Sequence, residues 1–423
     1  MRAARSALIP ALILLGCSAG GTTGEAAPTP AAASADGSQP RTPLAAAPFQ
    51  VEAVGNFEEP WAIAFLPDGA ALVTEKGGHL RYWRAGQPPR EVPGVPPVAV
   101  GGQGGLLDVA LAPGYATDGR VYLTYSEPQA GGSGLALARG RLVPDAGGGL
   151  RLEDVHVIWR DPAGGRGGQF GAVIAFSPDA RFLLLSSGER QRFTPAQDPS
   201  QPLGKILRFT LDGKPAPGNP WAGKTGATTV TVTDPPENTE VAKSTRGRQV
   251  AVPAPNLTPA ETWSMGHRNP YGLAFAPDGR LWSEEMGPRG GDELNLIEPG
   301  TNYGWPLVSQ GDNYDGTPIP RHSTRPDLRA PVLFWNPAIS PGGMTFYSGR
   351  LFPQWKGSAF IAALSGKGLI RVEISGASAR KAEMWDFGSR LRDVAEGPDG
   401  ALYVLEDGER GSAGRLLRLT PKR

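Results

Sequence analysis

The residues best suited to chemistry in this chain concentrate between Gly266 and Pro306, in the stretch GHRNPYGLAFAPDGRLWSEEMGPRGGDELNLIEPGTNYGWP. It opens on Arg268 and Asn269, passes through a Gly287-Pro288 turn and reaches Glu293 and Tyr303, ten residues apart. A fixed guanidinium can stabilise charge developing on an oxygen, and a Gly-Pro turn after a strand can present backbone carbonyls outward. Further along, SRLRDV sets Arg390 and Arg392 in strand-like alternation, so their side chains point the same way. Paired guanidinium forks suit carboxylates. Each feature has a plainer rival: a solvated arginine, an ordinary turn, a surface glutamate, the wet face of a strand. No clustered Asp/Glu/His set reads as a catalytic metal centre, which weighs against a hydrolase or lactonase. His79, His156 and His322 lie outside these motifs and read as ordinary surface or core histidines.

The elements that must position these residues announce themselves by repetition. An apolar strand, a Pro-Asp-Gly turn and a second apolar strand recur as Trp61-AIAF-LPDG-AALVTE, Gly171-AVIAF-SPDA-RFLLLSS, Tyr271-GLAF-APDG-RLWSEE and Arg392-DVAE-GPDG-ALYVLED. A degenerate copy starts near Leu106, and another unit starts near Gly342 with Met344 and Ala359 in its strands. Pro presets the first turn dihedral and Asp-Gly tolerates the left-handed conformation of a tight reversal. Alternating apolar residues suit antiparallel strands with a buried face. Starts near 61, 106, 171, 271, 342 and 392 give six units, each about the size of a four-stranded blade. The expected fold is therefore all-β, a six-bladed β-propeller, and the recurring phrase argues against a β-sandwich. Lys214 to Pro259 is polar and Thr/Pro/Gly-rich, which predicts a surface insertion. Ligands are expected at one mouth of the central channel, where propeller loops cluster.

In combination the motifs closely resemble those of soluble aldose sugar dehydrogenases that use pyrroloquinoline quinone (PQQ) and calcium, the glucose/sorbosone dehydrogenase-like family. The resemblance spans roughly Phe49 to Thr420. It implies the soluble quinoprotein glucose dehydrogenase-like propeller and oxidation of an aldose at its anomeric carbon. Arg268 and Asn269 would stand beside the quinone carbonyl that accepts hydride, with Arg390 and Arg392 clamping PQQ carboxylates. Gln103, in GGQGGLLDVAL, would lie near the sugar. Carbonyls of Gly287 and Pro288 would bind a calcium that also contacts PQQ, an ion that takes oxygen ligands. Glu293 and Tyr303 resemble a second, structural calcium site. Three positions depart from the family pattern. Gln169 replaces the general-base His, and a carboxamide cannot take up a proton near neutral pH. Val173 replaces an Arg, and Ser365 replaces a PQQ-contacting Lys, with Lys367 two residues on. His267 and Glu189 are the alternative bases. Two classes stay open: a PQQ-dependent dehydrogenase with a rewired site, and a non-catalytic propeller binding sugar, PQQ or a protein through the old mouth.

Composition is compatible with this reading. Of 423 residues, 59 are Gly and 43 Pro, which suits short strands joined by tight turns. A formal net charge of +1, with no basic patch interleaved with aromatics, gives no case for nucleic acid. Arg2 and Arg5 precede an apolar run, Ala7 to Leu15, that is too short to span a bilayer as a mature helix. Leu14-Leu15-Gly16-Cys17 resembles a bacterial lipobox, so residues 1–17 read as a lipoprotein-type signal ending at a lipidated Cys17. Cys17 is the chain's single cysteine, which excludes disulfides within the chain and a Cys-based metal site. Residues 18–48 read as a flexible Ala/Pro-rich tether, and 49–423 as the propeller. The expected product is an exported monomer, lipid-anchored at the periplasmic face of the outer membrane, passing electrons to an unidentified periplasmic acceptor.

Overall fold

The computed structural model describes residues 37–422, apart from 130, 163, 226–228, 237–241, 243 and 254–258. Cys17 and the signal-like segment lie outside the described residues. Six innermost strands, Pro60–Phe65, Leu106–Leu111, Gly171–Phe176, Pro270–Phe275, Pro341–Phe346 and Leu391–Glu396, start the six blades at the positions of the sequence repeat. Each packs against the innermost strands of both neighbouring blades, which closes the ring. Blades 1 to 4 are four-stranded antiparallel sheets. Blade 6 takes its outer strand, Phe49–Asn56, from the front of the domain, pairing it with Arg415–Pro421. The ring is thus sealed by pairing a strand from the front of the domain with its last strand.

The Pro-Asp-Gly turns behave as their chemistry dictates. Gly69, Gly279 and Gly400 have φ of 86°, 85° and 81°, and Ala180 takes the same role at 59°. In each turn the Asp carboxylate accepts an N–H two residues on, as Asp68 does from Ala70 at 3.1 Å and Asp399 from Ala401 at 3.1 Å. At the opposite end of every innermost strand the pairing with the second strand slips, between Pro60 and Ala62, Leu106 and Val109, Gly171 and Ile174, Pro270 and Gly272, Pro341 and Gly343, and Leu391 and Asp393. Such bulges re-aim side chains, and here they lie where the candidate site residues converge.

Apolar side chains fill the gaps between blades. Trp282, Trp335, Met344 and Ile361 form one such cluster, and Phe49, Trp385, Leu391 and Val404 another. Fully burying side chains of this size contributes ~1.5–3 kcal/mol each. Hydroxyls stitch neighbouring blades together. Thr74 donates to the Leu107 carbonyl at 2.5 Å, Thr124 to Ala172 at 2.7 Å and Ser186 to Pro270 at 3.0 Å.

Two segments differ from composition alone. Residues 37–48, inside the stretch read as tether, lie on the propeller: Thr42–Pro43 adds a parallel fifth strand to blade 5. Gln39 accepts from Trp335 Nε1 at 2.7 Å, and Arg41 donates to the Gly366 carbonyl. The insertion carries a hairpin of its own, Thr229–Asp234 against Arg248–Pro253.

Candidate active site

A cavity of about 480 Å³ opens at the bulged ends of the innermost strands, and its wall includes Trp61, Lys76, Gln103, Tyr271, Tyr314, Ser365, Arg390, Arg392 and Arg410. Four sequence-derived site residues, Gln103, Ser365, Arg390 and Arg392, meet there. Trp61 and Tyr271 occupy the second position of their innermost strands, in T-shaped contact with centroids 5.7 Å apart. They also border a second space of about 200 Å³ on the axial side, so they separate the two. Val173 faces that axial space and not the cavity.

The cationic groups are not equivalent. Arg390 Nε donates to Asp407 at 2.5 Å, and Lys76 pairs with Glu409. Arg392 is 7% exposed, and its Nε has no acceptor among the described residues. Its guanidinium carbon lies 5.9 Å from the Tyr271 ring centroid. Burial lowers the Arg392 pKa from its ordinary value, but an arginine keeps its proton in proteins. A buried charged donor without a partner is costly, so this position favours an anionic guest. Ser365 presents only a hydroxyl, hydrogen-bonded to Ser340 at 2.7 Å.

Gln169 lies behind this wall, 4% exposed, with φ of 57°. The fold over-determines that strained backbone. Its N–H donates to Gln103 Oε1 at 2.5 Å, and Tyr271 OH donates to the same oxygen at 3.3 Å. Buried Arg190 ties down the preceding loop, donating to the carbonyls of Gly165, Gly167 and Gly168 while stacking 3.9 Å over the Phe170 ring. In the amide orientation that satisfies both neighbours, Gln169 donates to Glu189 and accepts from Arg268 Nη2 at 2.8 Å. Burial raises the Glu189 pKa, and Arg268 opposes the rise. Of the two alternative bases, only Glu189 touches Gln169. His267 is fully buried, bonded to Ser264 at 2.9 Å and Glu285 at 3.0 Å.

Arg268 spans two compartments. It reaches Tyr314 OH on the cavity wall at 3.3 Å and the Met286 carbonyl at 3.0 Å, while its Nε has no partner among the described residues. It also borders a small void of about 10 Å³, shared with Gly266, Glu285, Gly287, Glu293 and Tyr303. That volume is on the scale of one water or ion. Glu285 and Glu293 face each other across paired strands; burial and then the Glu285 charge push the Glu293 pKa well up. A Cβ at Gly287 would collide with the carbonyl oxygens of Gly290 and Gly291, so the loop closes tightly around oxygen atoms. Tyr303 O accepts from His322 Nε2 at 3.0 Å.

Besides Gln169, two sequence-derived residues lie off both spaces. Asn269 is fully buried, and its amide is committed to Gly171 N–H at 3.1 Å and Met286 Sδ at 3.8 Å. Pro288 is buried beside Gly287 and borders neither. Sequence reasoning missed Trp61, Lys76, Tyr271, Tyr314 and Arg410. One signal was available: Lys76 directly follows the second strand of blade 1, as Met286 does in blade 4, and Glu189 and Ser365 stand one residue further on in blades 3 and 5.

Comparison with known proteins matches residues 57–233 and 251–418 to the glucose/sorbosone dehydrogenase family model. The chain is 37% identical over 376 residues to aldose sugar dehydrogenase YliI of Escherichia coli, covering 87% of this chain and 91% of that one. Among solved structures, the apo-form of the soluble E. coli aldose sugar dehydrogenase superposes with a TM-score of 0.74 at 36% identity, covering 88% and 100% of the two chains. The PQQ-bound aldose sugar dehydrogenase of Streptomyces coelicolor gives 0.62 at 28% identity, covering 88% and 98%.

Proposed function

Because the chain belongs to the glucose/sorbosone dehydrogenase family, we propose that it oxidises aldose sugars at the anomeric carbon to lactones with PQQ and calcium, using a site in which Gln169 replaces the family's general base. The observation that carries this reading is the unpartnered Nε of buried Arg392 in a cationic cavity with an aromatic floor. Such a wall fits a planar polycarboxylate. When bound, PQQ supplies the hydride-accepting chemistry, and the protein supplies orientation and electrostatics.

Arg392 and Arg390 would hold carboxylate groups, and Arg410 adds charge where Ser365 has none, while Lys76 is paired with Glu409 on the same wall. Trp61 and Tyr271 exclude water from beneath. Gln103 holds the Gln169 backbone and borders the space left for sugar. Arg268, fixed between Gln169, Met286 and Tyr314, keeps a cation beside the cavity. Calcium fits the neighbouring void, where Glu293 is buried beside a second carboxylate and backbone oxygens close in. Gln169 cannot accept a proton; Glu189 is the carboxylate in contact with it.

Restoring the base tests this reading. Gln169→His is expected to raise PQQ-dependent aldose oxidation, measured with a dye acceptor, by up to ~10²–10⁴-fold. No gain with PQQ shown to be bound would contradict the assignment of Gln169 to the base position. The carboxamide also supports a second reading, a non-catalytic propeller that binds sugar, PQQ or a protein at this mouth. Wild-type protein that binds PQQ without turning over any aldose would favour it.

The N-terminal pattern supports export and lipid anchoring at Cys17, which places electron transfer to a periplasmic acceptor within the same proposal.

A further inference from the structure

We infer that Tyr314 is the platform against which the substrate pyranose lays its C–H face, and therefore a specificity residue at the cavity mouth. The inference rests on the aldose reading above and adds the contact that would select among sugars. Tyr314 is 57% exposed; among the described residues the other large exposed apolar side chains are aliphatic, Val100 and Leu307. It also borders the cationic cavity. An aromatic face left in water at a ligand mouth is a candidate contact.

Its position is fixed before any ligand arrives. The hydroxyl accepts from Arg268 Nη2 at 3.3 Å. Tyr314 sits in a tight turn closed by Asn313 N–H to Thr317 O at 3.0 Å and Gly316 N–H to Asn313 O at 2.9 Å. Gly316 adopts φ of 91°, which the reversal requires. The base of the turn is pinned twice: Arg289 and Asp312 exchange backbone bonds at 2.9 and 3.2 Å, and Arg321 pairs with Asp312 at 2.8 Å. Arg289 follows Gly287-Pro288 directly, so the aromatic turn is tied to the candidate calcium loop.

The chemistry follows from the ring. An aromatic face is electron-rich and prefers polarised, apolar C–H groups. The other cavity aromatics, Trp61 and Tyr271, are 4% and 3% exposed and form the floor. Tyr314 therefore offers the accessible aromatic face at the mouth. Pyranoses with an unbroken face of ring hydrogens stack well there, and those with an axial hydroxyl on that face do not.

Saturation-transfer NMR with a methyl glucopyranoside, which has no oxidisable anomeric hydroxyl, tests this on wild type, Tyr314→Phe and Tyr314→Ala, each with and without PQQ and calcium. The expected result is transfer concentrated on one ring face in wild type and Phe. In Ala the sugar affinity falls about tenfold, the scale of one lost aromatic contact. Wild-type transfer and affinity in the Ala variant, or no transfer from wild type in either form, would overturn the inference. Failure of wild type to bind PQQ would instead remove the oxidation reading, and transfer in the PQQ-free protein would still decide the role of Tyr314.

Discussion

Arg392 and Arg390 occupy one wall yet have different partners. Arg390 is bonded to Asp407, whereas the Nε of Arg392 is buried without an acceptor. Hydrogen bonds to charged groups contribute about 1.5–3 kcal/mol each. Arg392→Ala is therefore expected to weaken PQQ binding about 10- to 100-fold, a larger loss than Arg390→Ala, because Arg390 must share its guanidinium with Asp407. Titration of the two variants checks the order, and unchanged affinity in both would contradict the clamp. The i, i+2 spacing of this pair was legible because strand geometry alone aligns them. Asn269 was legible as part of a motif, but its amide turns to Gly171 and Met286. Trp61 and Arg410 were not legible, since they meet the other wall residues only after the ring closes.

At the scale of elements, the blades depend on contacts that pass from one sheet to the next. Thr124 Oγ1 donates to Ala172 O of blade 3 and accepts from Asp108 N at 2.9 Å, all in the interior. Thr124→Val keeps the shape and strands two backbone groups, so it should cost about 2 kcal/mol in a denaturant titration. A neutral result would mean the hydroxyl straps contribute little to ring closure. The six innermost strands were legible because turn chemistry and period-two alternation coincide in them. The edge strand Thr42–Pro43 was not. Two residues in an Ala/Pro-rich segment carry no periodicity, and what holds them is remote: Trp385 and Asp386 beside them, with Gln39 on Trp335.

At the scale of the whole molecule, ring closure traps ionisable groups between blades, and their protons couple stability to pH. Glu261 is buried beside Trp159 of blade 2, which donates to it at 2.9 Å. Burial pushes its pKa up to about 7, from about 4.5. The folded state thus holds the proton more tightly than the unfolded state, so this group's contribution falls as pH rises from about 4.5 to 7 and stays low above. Glu261→Gln can still accept from Trp159 without a charge. Its stability relative to wild type should therefore rise between pH 5 and pH 8, as read by chemical denaturation at both. A difference that does not change with pH would place the Glu261 titration outside this window. We propose that the closed ring holds PQQ with calcium in the cavity at its mouth. Calorimetric titration of the purified apo-protein with PQQ, with and without calcium, tests it most directly. Saturable binding that depends on calcium and is weakened by Arg392→Ala is expected; no binding under either condition would overturn the proposal.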